Sequence, residues 1–237
     1  MKKAIALGLS LIMSVTMLCS CSKDDDSSSS GKRPDIPSNA SVTLGEEIET
    51  DERKLVALEA KINSSGEQTV LMDSTDSEIS LYFYTTHSGN KIYTQTVIAG
   101  NEVAVLSNDG GTYVLDNKKK RYYHDDMAIP ETPANFVTSQ LSGSTSYLGT
   151  YKVTINGANY VCEKYKDETG FTYFVFFDDG SVVAQLIQLE EGGEIGVIPT
   201  IIAAEANDKK LKLPDDYKKM TEEEYVEYRN SPVGVIE

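Results

Sequence analysis

Between Gln68 and Gln188 apolar and polar residues alternate with a period of two, and Gly, Asn and Asp cut the alternation into short runs. Successive side chains of an extended strand point to opposite faces, so the pattern predicts a meander of antiparallel strands joined by tight turns. Ile79, Leu81 and Phe83 alternate with Ser80, Tyr82 and Tyr84. Lys91 to Ile98, Glu102 to Leu106, Thr112 to Leu115 and Lys120 to His124 follow, each preceded by turn residues such as Asn108-Asp109-Gly110-Gly111. Beyond Pro130 and Pro133 the strands resume as Leu148 to Ile155, Asn159 to Tyr165, Phe171 to Phe177 and Ser181 to Leu189, with Asn156-Gly157 and Asp178-Asp179-Gly180 as hairpin turns.

Helical spacing appears at the margins. Leu55, Leu58 and Ile62 make one apolar stripe, with Thr50 as candidate cap, acids at the start and Gly66 past the end; the same residues hold enough alternation for a strand. Glu131 to Leu141 reads as a short helix, and Thr221 caps a short acidic helix that is mostly a solvated face. Ile195 to Ala204 contains Pro199, which belongs at a sheet edge or a bulge, and Lys209 to Pro214 is a further strand-like piece.

One strand is apolar on both sides. Phe171, Tyr173, Val175 and Phe177 fall on one face, Phe174 and Phe176 on the other, and Val182, Val183, Leu186 and Ile187 continue the theme. Such a sheet is covered on both faces or curls around an apolar interior. The expected fold is therefore mainly β with some α: a curved antiparallel sheet or half-barrel, with a few short helices covering the concave face. Either helices pack on both faces, or these six residues of the Phe171–Phe177 strand line a pocket for an apolar ligand.

The start of the chain changes the picture from fold to location. Met1-Lys2-Lys3 precedes an apolar run from Ala4 to Leu18, too short for the ~20 residues that span a bilayer and followed at once by small residues, which reads as a secretory signal over 1–20. Leu18-Cys19-Ser20-Cys21 resembles the bacterial lipobox, which makes Cys21 the lipidated residue. Two or more acyl chains anchor stably where one does so marginally, so the modification would fix the protein to a membrane. Residues 21–45 are Ser-, Asp- and Pro-rich and read as a disordered tether, leaving 46–237 as one β-rich domain. The acidic run Asp24-Asp25-Asp26 looks like the surface-export signal of Bacteroidota lipoproteins, although acidic tethers also occur in Gram-positive bacteria; the expected location is the cell envelope, with surface display on an outer membrane as one alternative.

Charge and chemistry narrow the function. The chain carries −15, and losing Lys2 and Lys3 with the signal takes it to −17, which disfavours nucleic acid and leaves the covalent lipid as the membrane link. Once Cys19 leaves and Cys21 is acylated, Cys162 is the sole thiol, set in a strand-like run that suits a buried small hydrophobe. His87 and His124 lack companions at metal spacing, and Asn108-Asp109-Gly110 reads as a turn rather than a calcium loop. No nucleophile–base pair or phosphate loop assembles, so no catalytic residue, metal or cofactor is expected and the chain reads as a non-enzyme.

Lys91-Ile92-Tyr93, Asn108 to Asp116 and Lys120-Arg121-Tyr122-Tyr123, with Leu211-Lys212-Leu213-Pro214-Asp215-Asp216-Tyr217 late in the chain, resemble the lipoprotein-carrier superfamily of LolA, LppX and LprG. The resemblance spans roughly residues 68 to 217 and implies a curved half-barrel plugged by helices that in several members holds lipid. The expected function is a membrane-anchored envelope lipoprotein that binds a lipid or another hydrophobic ligand. The alternative is a structural or protein-interaction lipoprotein whose fourteen tyrosines, without any tryptophan, offer contact surface. Bacteria fed an alkyne fatty acid are expected to label the wild-type protein and not Cys21→Ala; label retained on the variant would overturn the assignment of Cys21.

Overall fold

The computed structural model describes residues 36–74, 81–98, 100–128, 145–188 and 194–230. The expected signal, Cys21, the tether up to residue 35 and the helix expected over 131–141 lie outside these residues.

Thirteen strands form one curved, unclosed sheet. In chain order they are β1 (Val42–Ile48), β2 (Glu67–Asp73), β3 (Leu81–Ser88), β4 (Lys91–Ile98), β5 (Asn101–Asn108), β6 (Gly111–Asp116), β7 (Arg121–His124), β8 (Thr145–Ile155), β9 (Ala158–Asp167), β10 (Thr172–Asp178), β11 (Ser181–Gln188), β12 (Glu194–Ala203) and β13 (Lys218–Lys219). Their order across the sheet is β1-β8-β9-β10-β11-β12-β2-β3-β4-β5-β6-β7-β13, and every pairing is antiparallel except the short β7–β13 contact. Two hairpin meanders, β2 to β7 and β8 to β12, thus join through β12 and β2. Two helices accompany the sheet among the described residues, α1 (Lys54–Ser65) and α2 (Glu222–Asn230).

The two faces of the sheet bury different cores, as the period-two pattern requires. Val70, Phe83, Tyr165, Val175, Phe177, Val182 and Ile202 meet Leu55, Leu58 and Ile62 of α1, so this side is called the helix face. On the opposite side, Phe176, Cys162, Ala184, Leu186 and Val197 pack with Val153, Ile155 and Ile36. Further along that side, Leu71, Tyr84, Tyr93, Leu106 and Leu115 pack under Leu211, with Leu213 and Tyr217 alongside. These last three residues belong to a strap that leaves β12 and crosses this second face, here called the strap face, before pairing as β13. Both faces are therefore apolar and covered.

α1 is a helix and not the alternative strand, because its stripe Leu55, Leu58 and Ile62 is buried against the sheet, where each such side chain contributes about 1.5–3 kcal/mol. Gly66 ends it in the left-handed region, φ 66°, with its N–H donating to Ile62 O at 2.9 Å, a conformation that costs glycine little. The start differs from expectation. Thr50 Oγ1 accepts from Glu52 N–H at 3.1 Å and does not cap the helix; Arg53 is the N-cap without a side-chain bond, and no acid lies in the first turn. The capping group comes from the sheet instead. Glu163 on β9, fully buried, accepts from the Lys54 amide and, at 3.0 Å, from the Leu55 amide. Tyr165 OH donates to the same carboxylate at 2.7 Å.

Other expectations shift in instructive ways. Pro199 lies in the middle of the sheet, opposite Ala184 where the β11–β12 register slips, so the bulge and not the edge accommodates it. Lys209 to Pro214 is a turn-rich part of the strap, and the strand falls later, at Lys218–Lys219. Thr221 does cap α2 through a reciprocal box: Glu224 N–H donates to Thr221 Oγ1 at 3.2 Å and Thr221 N–H to Glu224 Oε2 at 2.8 Å. That helix is less solvated than its composition suggests, since Tyr225 is buried and stacks on Tyr123 with ring centroids 4.0 Å apart. Residues 36–45, within the stretch read as a tether, include the buried Ile36 and the start of β1 at Val42.

Glu163→Ala strips two helix amides and a buried hydroxyl of their acceptor and is expected to lower the unfolding free energy by about 3 kcal/mol; Tyr165→Phe, which removes one donor, should cost about 1.5 kcal/mol. Urea titration followed by far-UV circular dichroism measures both, and an unchanged midpoint in Glu163→Ala would rule out the cap as the anchor of α1.

Candidate functional site

The described surface has a half-open groove of about 350 Å³ on the strap face. Val42 and Leu44 of β1 contribute one side; Phe174, Leu186 and Val197, on β10, β11 and β12, contribute another; Ser38, Asn39 and Ala40 approach from the segment leading into β1, and Gln188 adds an amide. Strand periodicity explains the set. Leu186 pairs with Phe174 on one side and with Val197 on the other, so the three project from the same face in a row across three strands. Val42 and Leu44 share that face through their partners Ile155 and Val153, which belong to the same core.

The neighbouring charge is informative in so acidic a chain. Lys164, opposite Phe174 in the β9–β10 register, places its ammonium 5.4 Å from the Phe174 ring centroid. A cation over an aromatic face is held there by about 0.5–1 kcal/mol at an exposed site. Lys164 touches the Phe174 wall and is not itself a lining residue, and the walls are mixed, with Ser38, Asn39 and Gln188 beside the apolar side chains.

The six residues expected to line a pocket divide between the faces as their spacing requires, and the structure brings one of them to the groove. Phe174 lines it. Val175 and Phe177 are buried under α1, with Tyr173 packed against the same cluster, and Phe176 is fully buried beneath the strap face. Phe171 precedes β10, its N–H donating to Asp167 Oδ1 at 3.0 Å in the β9–β10 turn. Tyr173 OH donates to Asp167 Oδ2 at 2.7 Å, and burial followed by this bond pushes its pKa up. Sequence reasoning misses Val42, Leu44 and Lys164. The alternation Val42-Thr43-Leu44 is the available signal for β1, masked by its low-complexity surroundings.

Several other groups are already engaged. Cys162 is fully buried on the strap face, and burial first, then the neighbouring Glu163 charge, push its thiol up to about 12, so the thiolate that nucleophilic chemistry needs is suppressed. Asp109, in the turn that might have suggested calcium, pairs with Lys91 at 2.7 Å, which lowers its pKa, while Asn108 Oδ1 accepts from Gly110 N–H at 2.9 Å. None of the fourteen tyrosines falls in the exposed class; Tyr84, Tyr93, Tyr165 and Tyr225 are buried and the rest are half-buried. Among the described residues no three His, Cys, Asp or Glu side chains gather as a metal set, and no helix is long and apolar enough to cross a membrane.

No family model matches the chain, and no curated protein matches it. Among solved structures it is similar to the crystal structure of MucB, at 11% identity and a TM-score of 0.34 over 70% of this chain. The match spans 65% of the MucB chain, short of two thirds of its length. It is also similar to an uncharacterized conserved protein from Thermus thermophilus, at 9% identity and a TM-score of 0.36, covering 71% of this chain and 99% of that one.

Proposed function

We propose that this chain is a bacterial envelope lipoprotein, tethered to a membrane through Cys21, whose domain is a non-enzymatic binding module for an apolar chain with an anionic head. The observation that carries this reading is the groove: apolar side chains of four strands converge there, and Lys164 stands over its Phe174 wall. About 350 Å³ lies at the small end of the ~300–1,000 Å³ range of ligand sites, which fits a single acyl chain better than a multi-chain lipid. The sequence motifs that resemble the lipoprotein-carrier superfamily favour the same class of ligand. The rest of the surface is too acidic to attract an anion by long-range steering, so selectivity for the head rests on Lys164.

Titration of the mature chain with a fluorescent fatty acid is expected to show saturable binding. Leu186→Trp, which fills the groove, should weaken it at least tenfold. Lys164→Gln should weaken the carboxylate ligand about two- to fivefold, as for a partly exposed ion pair, while leaving displacement by a fatty alcohol of equal length unchanged. Absence of saturable binding, or equal affinity in Leu186→Trp, would reject the groove as the site.

A further inference from the structure

We infer that the outer edge of β1 is a docking strand for an extended, basic segment of a partner protein, which would add to the sheet as a fourteenth strand. β1 is the terminal strand at its end of the order, and among the described residues nothing pairs beyond it. Its backbone orientation follows from the turn beside it. Asn156 N–H donates to Ser41 O at 3.1 Å, and Ser41 N–H donates to Asn156 Oδ1 at 3.0 Å, so Ser41 faces inward toward β8. In an antiparallel ladder inward and outward residues alternate. Thr43, opposite Thr154, then faces inward, and Val42 and Leu44 present their N–H and C=O groups to the open side. Residues Thr43 to Glu47 are exposed, so this edge is accessible.

The chemistry of the occupant is set by charge. Glu46, Glu47, Glu49, Asp51 and Glu52 lie along β1 and the residues that follow it. Among the described residues, Lys152 reaches Glu46 at 3.3 Å, and Arg53 lies 5.8 Å from the centroid of the Tyr147 ring. A second copy of this chain would set two such acidic runs side by side, which disfavours symmetric pairing of the edge with itself. A segment alternating basic and apolar residues satisfies both demands: backbone pairing along Val42 and Leu44, and positive side chains against the carboxylates. This inference is independent of any groove ligand.

The test uses the mature chain and three labelled nine-residue peptides followed by fluorescence anisotropy: alternating Lys/Val, the same peptide N-methylated at every second residue, and alternating Glu/Val. The Lys/Val peptide is expected to bind at least tenfold more tightly than either control, and Glu46→Lys/Glu47→Lys should weaken it at least tenfold while the circular dichroism of the protein stays unchanged. Equal binding of the N-methylated peptide would reduce the site to a cation-attracting surface and overturn strand addition. Failure of all three peptides to bind would overturn it as well, as would concentration-dependent dimerisation of the protein, in analytical ultracentrifugation, that Glu46→Lys/Glu47→Lys alters.

Discussion

A carboxylate with no access to water holds this fold in its arrangement. Glu163 would be expensive to bury alone, because an ion taken from water loses its hydration. Here the helix supplies the compensation: the first amides of α1 point at Glu163, and the partial positive charge of a helix N-terminus adds to them. Tyr165, two residues along the same strand and on the same face, gives the third donor. The helix start is thereby pinned over β9, and the stripe Leu55, Leu58 and Ile62 then lies across the strands around β10 and β2. One interaction between chain positions more than a hundred residues apart fixes both where α1 begins and which face of the sheet it closes.

Closing the helix face determines where an open groove can lie. Val175 and Phe177 are spent on the contact with α1, so the apolar surface of β10 that is left belongs to the other face, through Phe174. That second face is covered by two chain segments of different kinds. The strap carrying Leu211 covers the β2 to β6 end, and the short stretch from Ile36 to Ala40 covers the β8 to β12 end. A stretch of five residues with one large apolar side chain fills less space than a helix does, and the groove opens beside it. The site is thus a consequence of uneven cover, not a cavity built into the centre of the sheet.

The sheet was legible because period-two alternation and turn chemistry are local properties. The division of Phe174 and Phe176 from Val175 and Phe177, Gly66 as the end of α1 and the Thr221 cap all follow from spacing within a few residues. What stayed hidden depends on partners distant in sequence. Glu163 looks like any polar residue of a strand until β9 is placed under α1. Pro199 reads as an edge or a bulge residue, and only the slip opposite Ala184 decides for the bulge. The groove draws on β1, β10, β11 and β12, whose adjacency is a matter of topology, and β1 itself hides in a Ser- and Pro-rich context that lowers the local apolar average. Lys164 acquires meaning only from its register opposite Phe174.

The two ends of so long an open sheet face the same hazard, since an unpaired edge invites another strand, yet they are guarded differently. At one end β13 is two residues long and both are lysines, so little backbone is offered and the chain turns away into α2. At the other, β1 runs for seven residues and is guarded by carboxylates and by a register slip between Leu44 and Glu47. Shortness blocks any partner, whereas charge of one sign blocks only partners of the same sign. Along Val42 and Leu44, before the slip, the carboxylates would repel a copy of this acidic chain and not a basic strand, so the charge that keeps the protein from pairing with itself would also select what can pair with it.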